Sequence, residues 1–220
     1  KSIKFKDHKY IGDPINSVRL FNEKEVDELV FLDISARPNK KGPNFKLLTK
    51  IASEAFMPFS YGGGIRDLDD AKKLFSIGLE KLIFNTISFE SPEIISQTAK
   101  IFGSSAVVAS VDVKRSLLGK YSVFTHGGTK NTGVKAIDYV KHLEQLGAGE
   151  IILNSIDRDG TMKGYDLKLI HNISCSVSIP VVSVGGAGNI KHFNEAILSG
   201  ASAVGAGSIF VYYGKHRAVL

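Results

Sequence analysis

Three aspartates stand at the ends of apolar stretches, where a carboxyl group could act as an acid or a base. They are Asp33, Asp112 and Asp159. Apolar surroundings tend to raise the pKa of a carboxyl group, which suits proton transfer near neutral pH. The residues alone also allow other roles. Asp33 could cap a helix or brace a loop, and Asp159 could form a turn with Gly160, which follows it.

Two glycine pairs could bind phosphate groups. Gly63-Gly64 and Gly185-Gly186 each follow an apolar run and lead into a helical pattern. Bare glycines let a phosphate approach backbone N–H groups, and the next helix adds its positive N-terminus. The alternative is that these glycines only permit tight turns. After each glycine pair, the next apolar run ends in small residues that would complete the loop. They are Asn85 and Thr86 for the first pair, and Gly207 and Ser208 for the second. Two copies predict an elongated substrate with a phosphate at each end.

A second charged group precedes the apolar runs instead of following them. It comprises Glu28, Lys81 and Glu150. Composition alone favours a belt of surface salt bridges for these residues. No two histidines have the spacing of metal ligands on a helix, and no nucleotide-binding glycine pattern occurs in its required context. We therefore expect no metal and no cofactor.

Seven apolar runs predict the strands that would position these residues. Continuous apolarity is typical of parallel strands that are buried on both faces. The intervening segments have helical periodicity, and Gly78, Gly147 and Gly200 end three of them. Residues 123–133 are an exception and predict a short hairpin or an ordered loop. The seven runs are Leu29–Ile34, Phe59–Gly63, Lys81–Thr86, Ala106–Val113, Ile151–Ser155, Val181–Gly185 and Ala203–Ile209.

An internal repeat distinguishes a closed barrel from an open sheet. A shift of 122 residues aligns Glu28 with Glu150, Pro58 with Pro180, Gly63 with Gly185, Gly64 with Gly186, and Gly78 with Gly200. Two equal halves predict a (βα)8 TIM barrel with an internal half-barrel repeat. With seven strands countable, we expect the first strand to precede Lys1. The chain is then one barrel domain over residues 1–220, truncated at both ends.

The composition excludes several classes of protein. The chain has 220 residues, 43% of them hydrophobic, and one cysteine, which excludes a disulfide framework. The net charge of +6 is spread along the chain, so it favours anionic small molecules over nucleic acid. No apolar stretch reaches the roughly 18 residues of a membrane helix. We expect a cytoplasmic protein that binds neither nucleic acid nor membrane.

Several motifs resemble the cyclase subunit of imidazole glycerol phosphate synthase. They span nearly the whole chain, and the segment Ser155–Thr161, Ser-Ile-Asp-Arg-Asp-Gly-Thr, is specific to that family. The other matching segments are Asp27–Ile34, Gly62–Ile65, Asn85-Thr86, Asp112–Arg115, Lys130–Gly133 and Gly185–Gly188.

This resemblance implies a barrel of histidine biosynthesis that uses ammonia from a partner glutaminase, with which it forms a heterodimer. Its substrate is a bisphosphorylated ribulosyl-formimino-carboxamide ribonucleotide, and its products are imidazole glycerol phosphate and aminoimidazole carboxamide ribonucleotide. Asp112 matches one of two catalytic aspartates, and the other would precede Lys1. Lys1 itself aligns with a lysine of a mobile loop that closes over the substrate.

The resemblance also assigns the remaining candidate residues. Glu28, Lys81 and Glu150 match three of four residues that gate an ammonia tunnel, which favours a channel over a salt-bridge belt. The phosphate-binding and substrate-binding residues fall on Asp33, Gly63, Gly64, Asn85, Thr86, Asp159, Gly160, Gly185, Gly186, Gly207 and Ser208.

Three departures from the family pattern leave the function open. Phe56–Tyr61 is bulkier than usual, Val184 replaces a serine, and Asn154 replaces a threonine. These features resemble a paralogous branch that channels ammonia from a glutaminase to a sugar amidotransferase of surface-polysaccharide synthesis. A third alternative is a non-catalytic scaffold that binds a phosphorylated effector and activates the glutaminase. The isomerase of the preceding histidine step is disfavoured by the segments Lys130–Gly133 and Asp157–Asp159.

Overall fold

A computed structural model describes residues 2–36, 42–213 and 218–219. It divides the chain into two compact units. The first unit comprises Gly12–Ala109 and Leu146–Gly149, and the second comprises Lys1–Ile11, Ser110–Gln145 and Glu150–Leu220. Each unit contains parallel strands and the helices that connect them. Whether the whole chain is a single domain stays a prediction.

The strands occur where the apolar runs predict them. All seven predicted strands are present, although most are shorter than the runs. The predicted hairpin is also confirmed, and it is formed by β5 and β6. The strands are β1 Leu29–Leu32, β2 Phe59–Gly62, β3 Lys81–Phe84, β4 Val107–Arg115, β5 Tyr121–Thr125, β6 Lys130–Lys135, β7 Glu150–Ser155, β8 Val181–Val184, β9 Ala203–Val204, β10 Tyr212–Tyr213 and β11 Ala218–Val219.

Helices separate the parallel strands. They are α1 Pro14–Glu23, α2 Phe45–Glu54, α3 Leu68–Ser76, α4 Thr86–Glu90, α5 Glu93–Phe102, α6 Ala136–Gln145, α7 Leu167–Ser174, α8 Ile190–Leu198 and α9 Ser208–Val211, with a 3-10 helix over Ser104–Ala106. Two predicted strands end early because Thr86 and Ser208 already belong to the short helices α4 and α9.

In the first unit, the strands pair in chain order and in parallel. β1 pairs with β2 from Leu29↔Phe59 to Leu32↔Gly62, and β2 pairs with β3. The first residues of β4 pair with β3. The core lies between these strands and α2, α3 and α5, and it includes the fully buried side chains of Leu48, Ile51, Leu74, Leu82, Phe84 and Ile95.

In the second unit, β7 pairs in parallel with β8, and β8 with β9. The carboxyl-terminal half of β4 pairs with β5, which pairs with β6, so an antiparallel hairpin interrupts the parallel order. Ile151, Leu153, Leu143, Leu169 and Ile170 are fully buried there.

The internal repeat is present in the backbone itself. Adding 122 to the bounds of β2, α3 and α2 gives those of β8 and α8 and the first residue of α7. Asp67 caps α3 at φ −157° and ψ 178°, and Asn189 caps α8 at φ −160° and ψ 170°. The fold is therefore of the predicted α/β class, with the strand and helix order of a (βα)8 barrel and its half-barrel repeat.

Candidate functional site

The glycine loop of the first unit has the conformation that its sequence predicts. Gly63 and Gly64 have φ of +127° and +67°, which side-chain-bearing residues rarely adopt. A Cβ atom on Gly63 would also collide with the carbonyl oxygen of Asp33. Among the described residues, the N–H groups of these two glycines donate to no protein acceptor. They therefore remain available to an anion.

Tyr61 holds this loop in place, and the sequence analysis missed it. Its hydroxyl donates a hydrogen bond of 2.7 Å to the carbonyl oxygen of Gly63. Burial, followed by the negative charges of Asp33 and Asp70, raises the pKa of Tyr61 well above its ordinary value. The hydroxyl therefore stays protonated and keeps donating to the loop at any physiological pH.

Asp33 braces the loop that follows β1. Its Oδ1 atom accepts hydrogen bonds from the Ser35 N–H at 2.9 Å, the Ser35 hydroxyl at 2.7 Å and the Ala36 N–H at 3.1 Å. These contacts are the loop brace that the residues alone allowed as an alternative. A role of Asp33 in substrate binding stays a prediction.

Asn85 and Thr86 lie where the helix α4 begins. Asn85 is its N-terminal flanking residue, and Thr86 is its first residue and is buried. The Thr86 hydroxyl donates a hydrogen bond of 3.3 Å to the side-chain oxygen of Asn85. The repeat places Gly207 and Ser208 in the same positions at the start of α9.

The glycine loop of the second unit is similar in geometry. Gly185 and Gly186 have φ of +85° and +116°. The carbonyl oxygen of Gly186 accepts a hydrogen bond of 2.8 Å from the N–H of Gly164, which ties the loop to the segment that follows β7. In the described part of the chain, the N–H groups of both glycines donate to no protein acceptor.

The first described residues of the chain lie against Asp159 and Gly160. The Lys4 N–H donates a hydrogen bond of 2.9 Å to the carbonyl oxygen of Asp159, and the Ser2 hydroxyl donates one of 3.3 Å to its carboxylate. A Cβ atom on Gly160 would collide with the carbonyl oxygen of Ser2. Lys1, the predicted loop lysine, lies outside the described residues.

Asp112 lies in the apolar strand β4. It is 6% exposed and stands between Val111 and Val113, both fully buried. It pairs with Phe124 of β5 across the antiparallel ladder. Because side chains alternate along a strand, Asp112 faces the same side as Ser110, opposite to the two valines. The structure thus holds a buried carboxyl group in the carboxyl-terminal half of β4.

Asp157 has a structural contact that the sequence did not predict. Its Oδ2 atom accepts a hydrogen bond of 2.9 Å from the backbone N–H of Arg115. The carbonyl oxygen of Val113 also accepts a bond of 2.9 Å from the Ile156 N–H. These contacts join the end of β4 to the loop after β7, so the family-specific segment Ser155–Thr161 is held beside the strand of Asp112.

Glu28 and Lys81 form an ion pair at the amino ends of β1 and β3. Nζ of Lys81 lies 2.9 Å from Oε2 of Glu28, and both side chains are partly exposed. The other Glu28 oxygen accepts a hydrogen bond of 2.5 Å from the hydroxyl of Ser60. Ser60 was missed because a single hydroxyl within an apolar run gives no signal. Glu150, the third predicted gate residue, is the first residue of β7.

A cavity of about 360 Å³ lies at the same end of β1 and β2. Phe56 is largely exposed beside it, and Glu25 and Asp27 give its wall two carboxylates. The cavity is lined by Asn22, Glu25, Val26, Asp27, Phe56, Met57 and Pro58.

The described residues contain neither a cluster of metal ligands nor a helix that could cross a membrane. No group of three histidine, cysteine, aspartate or glutamate side chains could hold a metal ion. No helix in the same residues is both long enough and apolar enough to cross a membrane.

The fold and its repeated glycine loops define an α/β protein of the (βα)8 barrel class. The family model described as "Histidine biosynthesis protein" matches residues 1–217. The chain therefore belongs to the histidine biosynthesis protein family.

The relatives within this family are of the HisF type. A protein of Leptospira borgpetersenii, named provisionally as imidazole glycerol phosphate synthase subunit HisF, is 50% identical over 222 residues, which cover 100% of this chain and 87% of that protein. A Pseudomonas aeruginosa protein, named provisionally as subunit hisF2 of the same synthase, is 48% identical over 100% of this chain and 88% of its own length. The imidazole glycerol phosphate synthase subunit HisF of Alkaliphilus metalliredigens is 42% identical over 96% of this chain and 84% of its own length. Within its family, the chain is thus most similar to proteins of the HisF type among these relatives.

Proposed function

We propose that this subunit uses ammonia to cleave and cyclise a bisphosphorylated ribulosyl-formimino-carboxamide ribonucleotide. The products would be imidazole glycerol phosphate and aminoimidazole carboxamide ribonucleotide. The observation that carries the proposal is the buried carboxyl group of Asp112, which emerges from an apolar strand beside the segment Ser155–Thr161. We expect the reaction to take place in the cytoplasm.

Asp112 would move protons during ring closure. Closing an imidazole ring requires a proton to leave the attacking nitrogen and another to reach the departing oxygen. A single positioned carboxyl group contributes about 10²–10⁴-fold to such a step. The strand fixes the position of Asp112 by its ladder with β5, so the group needs little reorganisation before the reaction.

The two glycine loops would bind the phosphates of the substrate. Each half of the repeat supplies one loop with unused N–H donors at a glycine pair, followed by a short helix that begins at Thr86 or Ser208. Backbone N–H groups bind phosphate oxygens without a charged side chain. One loop in each half supports a substrate with two phosphates.

Ammonia would enter from a glutaminase partner at the amino ends of the strands. Glu28, Lys81 and Ser60 form a polar cluster there, and Glu150 opens β7 at the corresponding position of the repeat. The cavity beside Phe56 offers an exposed aromatic side chain with carboxylates around it, which is a typical anchor of a protein interface. We therefore expect a heterodimer with the glutaminase.

Turnover of the bisphosphate substrate tests the proposal directly. The full-length natural protein is assayed with an ammonium salt as the nitrogen donor and with no partner present. We expect imidazole glycerol phosphate to form, and Asp112→Asn to reduce the rate about 10²–10⁴-fold. Asp138→Asn is the matched control, because Asp138 is exposed in the first turn of α6. An unchanged rate for Asp112→Asn would remove this residue from the mechanism.

One observation favours a second function, the delivery of ammonia to a sugar amidotransferase. The Asn154 side chain is 9% exposed, and its Oδ1 atom is buried without a hydrogen-bond partner among the described residues. A Cβ atom on Gly185 would lie 2.6 Å from this oxygen, so the oxygen faces the second glycine loop. A buried acceptor is unfavourable beside a phosphate dianion but favourable beside a hydrogen-bond donor.

The same assay separates the alternatives. Nitrogen transfer from glutamine to a sugar, without conversion of the bisphosphate, would support the paralogous function. Binding that stimulates the glutaminase, without conversion of the effector or transfer to a sugar, would support the scaffold.

A further inference from the structure

Asn154 is a buried polar residue whose side-chain oxygen has no partner among the described residues. It lies in β7, its side chain is 9% exposed, and its Oδ1 atom accepts no hydrogen bond from them. A buried acceptor without a donor costs free energy, and native proteins keep few such groups. The presence of this oxygen inside the second unit therefore needs a reason other than packing.

The internal repeat shows that the fold does not require a polar side chain at this position. The shift of 122 residues places Leu32 of β1 at the position of Asn154. The two residues also have the same register, since Leu32 pairs with Gly62 and Asn154 pairs with Val184. The first half thus builds the same pair of parallel strands with an aliphatic residue, and the buried amide is a feature of the second half.

The side-chain oxygen of Asn154 faces the second glycine loop. A Cβ atom on Gly185 would lie 2.6 Å from Oδ1, so a hydrogen atom of the Gly185 Cα points towards this oxygen. A Cα–H group can donate weakly to a carbonyl oxygen, whereas it would repel the amino group of the amide. The contact therefore favours the orientation in which the oxygen, and not the amino group, points into the loop.

Neighbouring groups of the described chain do not supply a donor for this oxygen. Val184, which pairs with Asn154 across the two strands, has an aliphatic side chain. The N–H groups of Arg158 and Asp159 both donate to the carbonyl oxygen of Ser155, at 3.0 Å and 2.9 Å. The Ser155 side chain points to the opposite face of β7, because side chains alternate along a strand.

The second glycine loop thus offers a ligand both donors and an acceptor. Within the described residues, the N–H groups of Gly185 and Gly186 donate to no protein acceptor, and Oδ1 of Asn154 accepts from no donor. A phosphate group matches the two N–H groups, because its oxygens accept hydrogen bonds. The same oxygens cannot satisfy Asn154, since two acceptors repel each other. A hydroxyl group near the phosphate would supply the missing donor.

We propose that Asn154 is a specificity-determining residue that selects a phosphate ester with a hydroxyl group close to the phosphate. The phosphate binds the N–H groups of the glycine loop, and the hydroxyl donates a hydrogen bond to Oδ1. This inference rests on the phosphate-binding role proposed above for the second loop. It adds the class of ligand, which is a hydroxyalkyl phosphate and not a simple alkyl phosphate.

Two esters with the same carbon skeleton test the proposal. They are glycerol 1-phosphate, which carries hydroxyl groups, and propyl phosphate, which carries none. The full-length natural protein is titrated with each ester by NMR, and shifts of the Gly185 and Gly186 amide resonances locate binding at the second loop. We expect glycerol 1-phosphate to bind at least about tenfold more tightly, because propyl phosphate leaves the buried oxygen without a donor.

Asn154→Leu should abolish this preference between the two esters. Leucine has no acceptor, and the repeat already places Leu32 at the equivalent position, so the fold should tolerate it. Without ligand, the variant should have a higher urea midpoint than the natural protein, because an apolar group replaces an unsatisfied buried one. Asn194→Leu is the matched control, since Asn194 is exposed on α8 and its replacement should leave the preference unchanged.

Three outcomes would overturn the proposal. The first is a preference for glycerol 1-phosphate that survives in Asn154→Leu. The second is a lower urea midpoint for this variant, which would show that the folded protein already satisfies Oδ1. The third is an affinity for propyl phosphate that rises, only with Asn154 present, as the pH falls through the second pKa of a phosphate ester, about 6. The donor would then be the phosphate proton and not a hydroxyl group.

The titrations also separate this inference from the function on which it rests. If neither ester shifts the Gly185 and Gly186 resonances, the phosphate-binding role of the second loop is wrong, and the role of Asn154 is wrong with it. If both esters shift these resonances with equal affinity, the loop binds phosphate as proposed, and only the selection by Asn154 is rejected.

Discussion

The ammonium group of Lys81 donates a hydrogen bond of 2.9 Å to the carboxylate of Glu28, whose other oxygen accepts the hydroxyl of Ser60. Ser60 and Lys81 belong to β2 and β3, and Glu28 directly precedes β1, so the register of these parallel strands brings the three residues together. Both charged side chains are partly exposed, and a pair of this kind stabilises a fold by about 1 kcal/mol or less. Because the pair adds little stability and lies at the amino ends of the strands, we expect its main role to be in function.

We expect Lys81→Met to affect glutamine-driven turnover more than ammonium-driven turnover. The substitution removes the cation that orients Glu28, so a gate that opens for ammonia from the partner would be disturbed. The ratio of glutamine-driven to ammonium-driven rates should fall at least tenfold, measured in the complex with the glutaminase. Lys72→Met is the control, because Lys72 pairs with an exposed aspartate, Asp69, on the surface of α3. An unchanged ratio would contradict the gate.

Gly63→Ala should destabilise the protein more than Gly78→Ala. Both glycines have positive φ, +127° and +101°, so both substitutions introduce backbone strain of about 1–2 kcal/mol. Only at Gly63 would the new Cβ atom collide with Asp33, whereas nothing lies within 4 Å of it at Gly78. The collision should add about 1–3 kcal/mol. Urea denaturation of the two variants measures the difference, and equal losses would show that the Asp33 carbonyl moves aside.

The pair of Asp70 and Arg66 should make stability depend on pH. Burial acts to raise the pKa of the Asp70 carboxyl group, but hydrogen bonds from the side chain and backbone of Arg66 outweigh it, so the pKa is lowered. The Arg66 side chain binds both carboxylate oxygens, at 2.8 Å and 2.9 Å. A carboxyl group with a lowered folded-state pKa stabilises the fold above its unfolded-state pKa, about 3.9, and this stability is lost as the pH falls through the folded-state pKa.

Asp70→Asn should therefore flatten the loss of stability in acid. We expect the urea midpoint of the natural protein to fall more steeply below about pH 4 than that of the variant. Glu54→Gln is the control, because Glu54 forms a similar pair with Arg19 at an exposed position, where solvent screens the charges. Parallel pH profiles of Asp70→Asn and the natural protein would contradict the prediction.

The sequence predicts the strands and the repeat well because both depend on local pattern. Apolar runs locate all seven parallel strands, and the glycines at Gly63 and Gly185 have the backbone conformations that a tight βα loop requires. Residues whose role depends on pairing between strands are harder to predict. Ser60 contacts Glu28 because β1 pairs with β2 in one register, and no periodicity of either segment encodes that register.

The same limit applies to the contacts between loops. Asp157 was predicted only as part of a family-specific segment, yet its carboxylate binds the backbone of Arg115, 42 residues away in the chain. The extents of the strands at Thr86 and Ser208 were also wrong, because apolar residues of a short helix continue the pattern of the strand. Identity of residue type predicts which groups can bond, and only the fold determines which of them meet.

The repeat places a side-chain cap at the start of both α3 and α8, and we expect the loss of each cap to reduce stability by a different amount. The side chain of Asp67 accepts a hydrogen bond of 2.8 Å from the Asp70 N–H, and Asn189 accepts one of 3.1 Å from the His192 N–H. Replacement of either residue by alanine should cost about 1 kcal/mol. The loss should be larger for Asp67→Ala, because the negative charge also favours the helix N-terminus and because the freed N–H belongs to Asp70, which must stay aligned with Arg66.

Amide hydrogen exchange measures each cap locally. Exchange at the N–H groups of Asp70 and His192 should accelerate in the corresponding alanine variant, about fivefold at His192 and more at Asp70. Asp67→Asn keeps the hydrogen bond but removes the charge, so it should fall between the natural protein and Asp67→Ala. Equal acceleration at both sites would mean that the two halves share not only the backbone geometry of the repeat but also its energetics, and that the Arg66 contact adds nothing to the first cap.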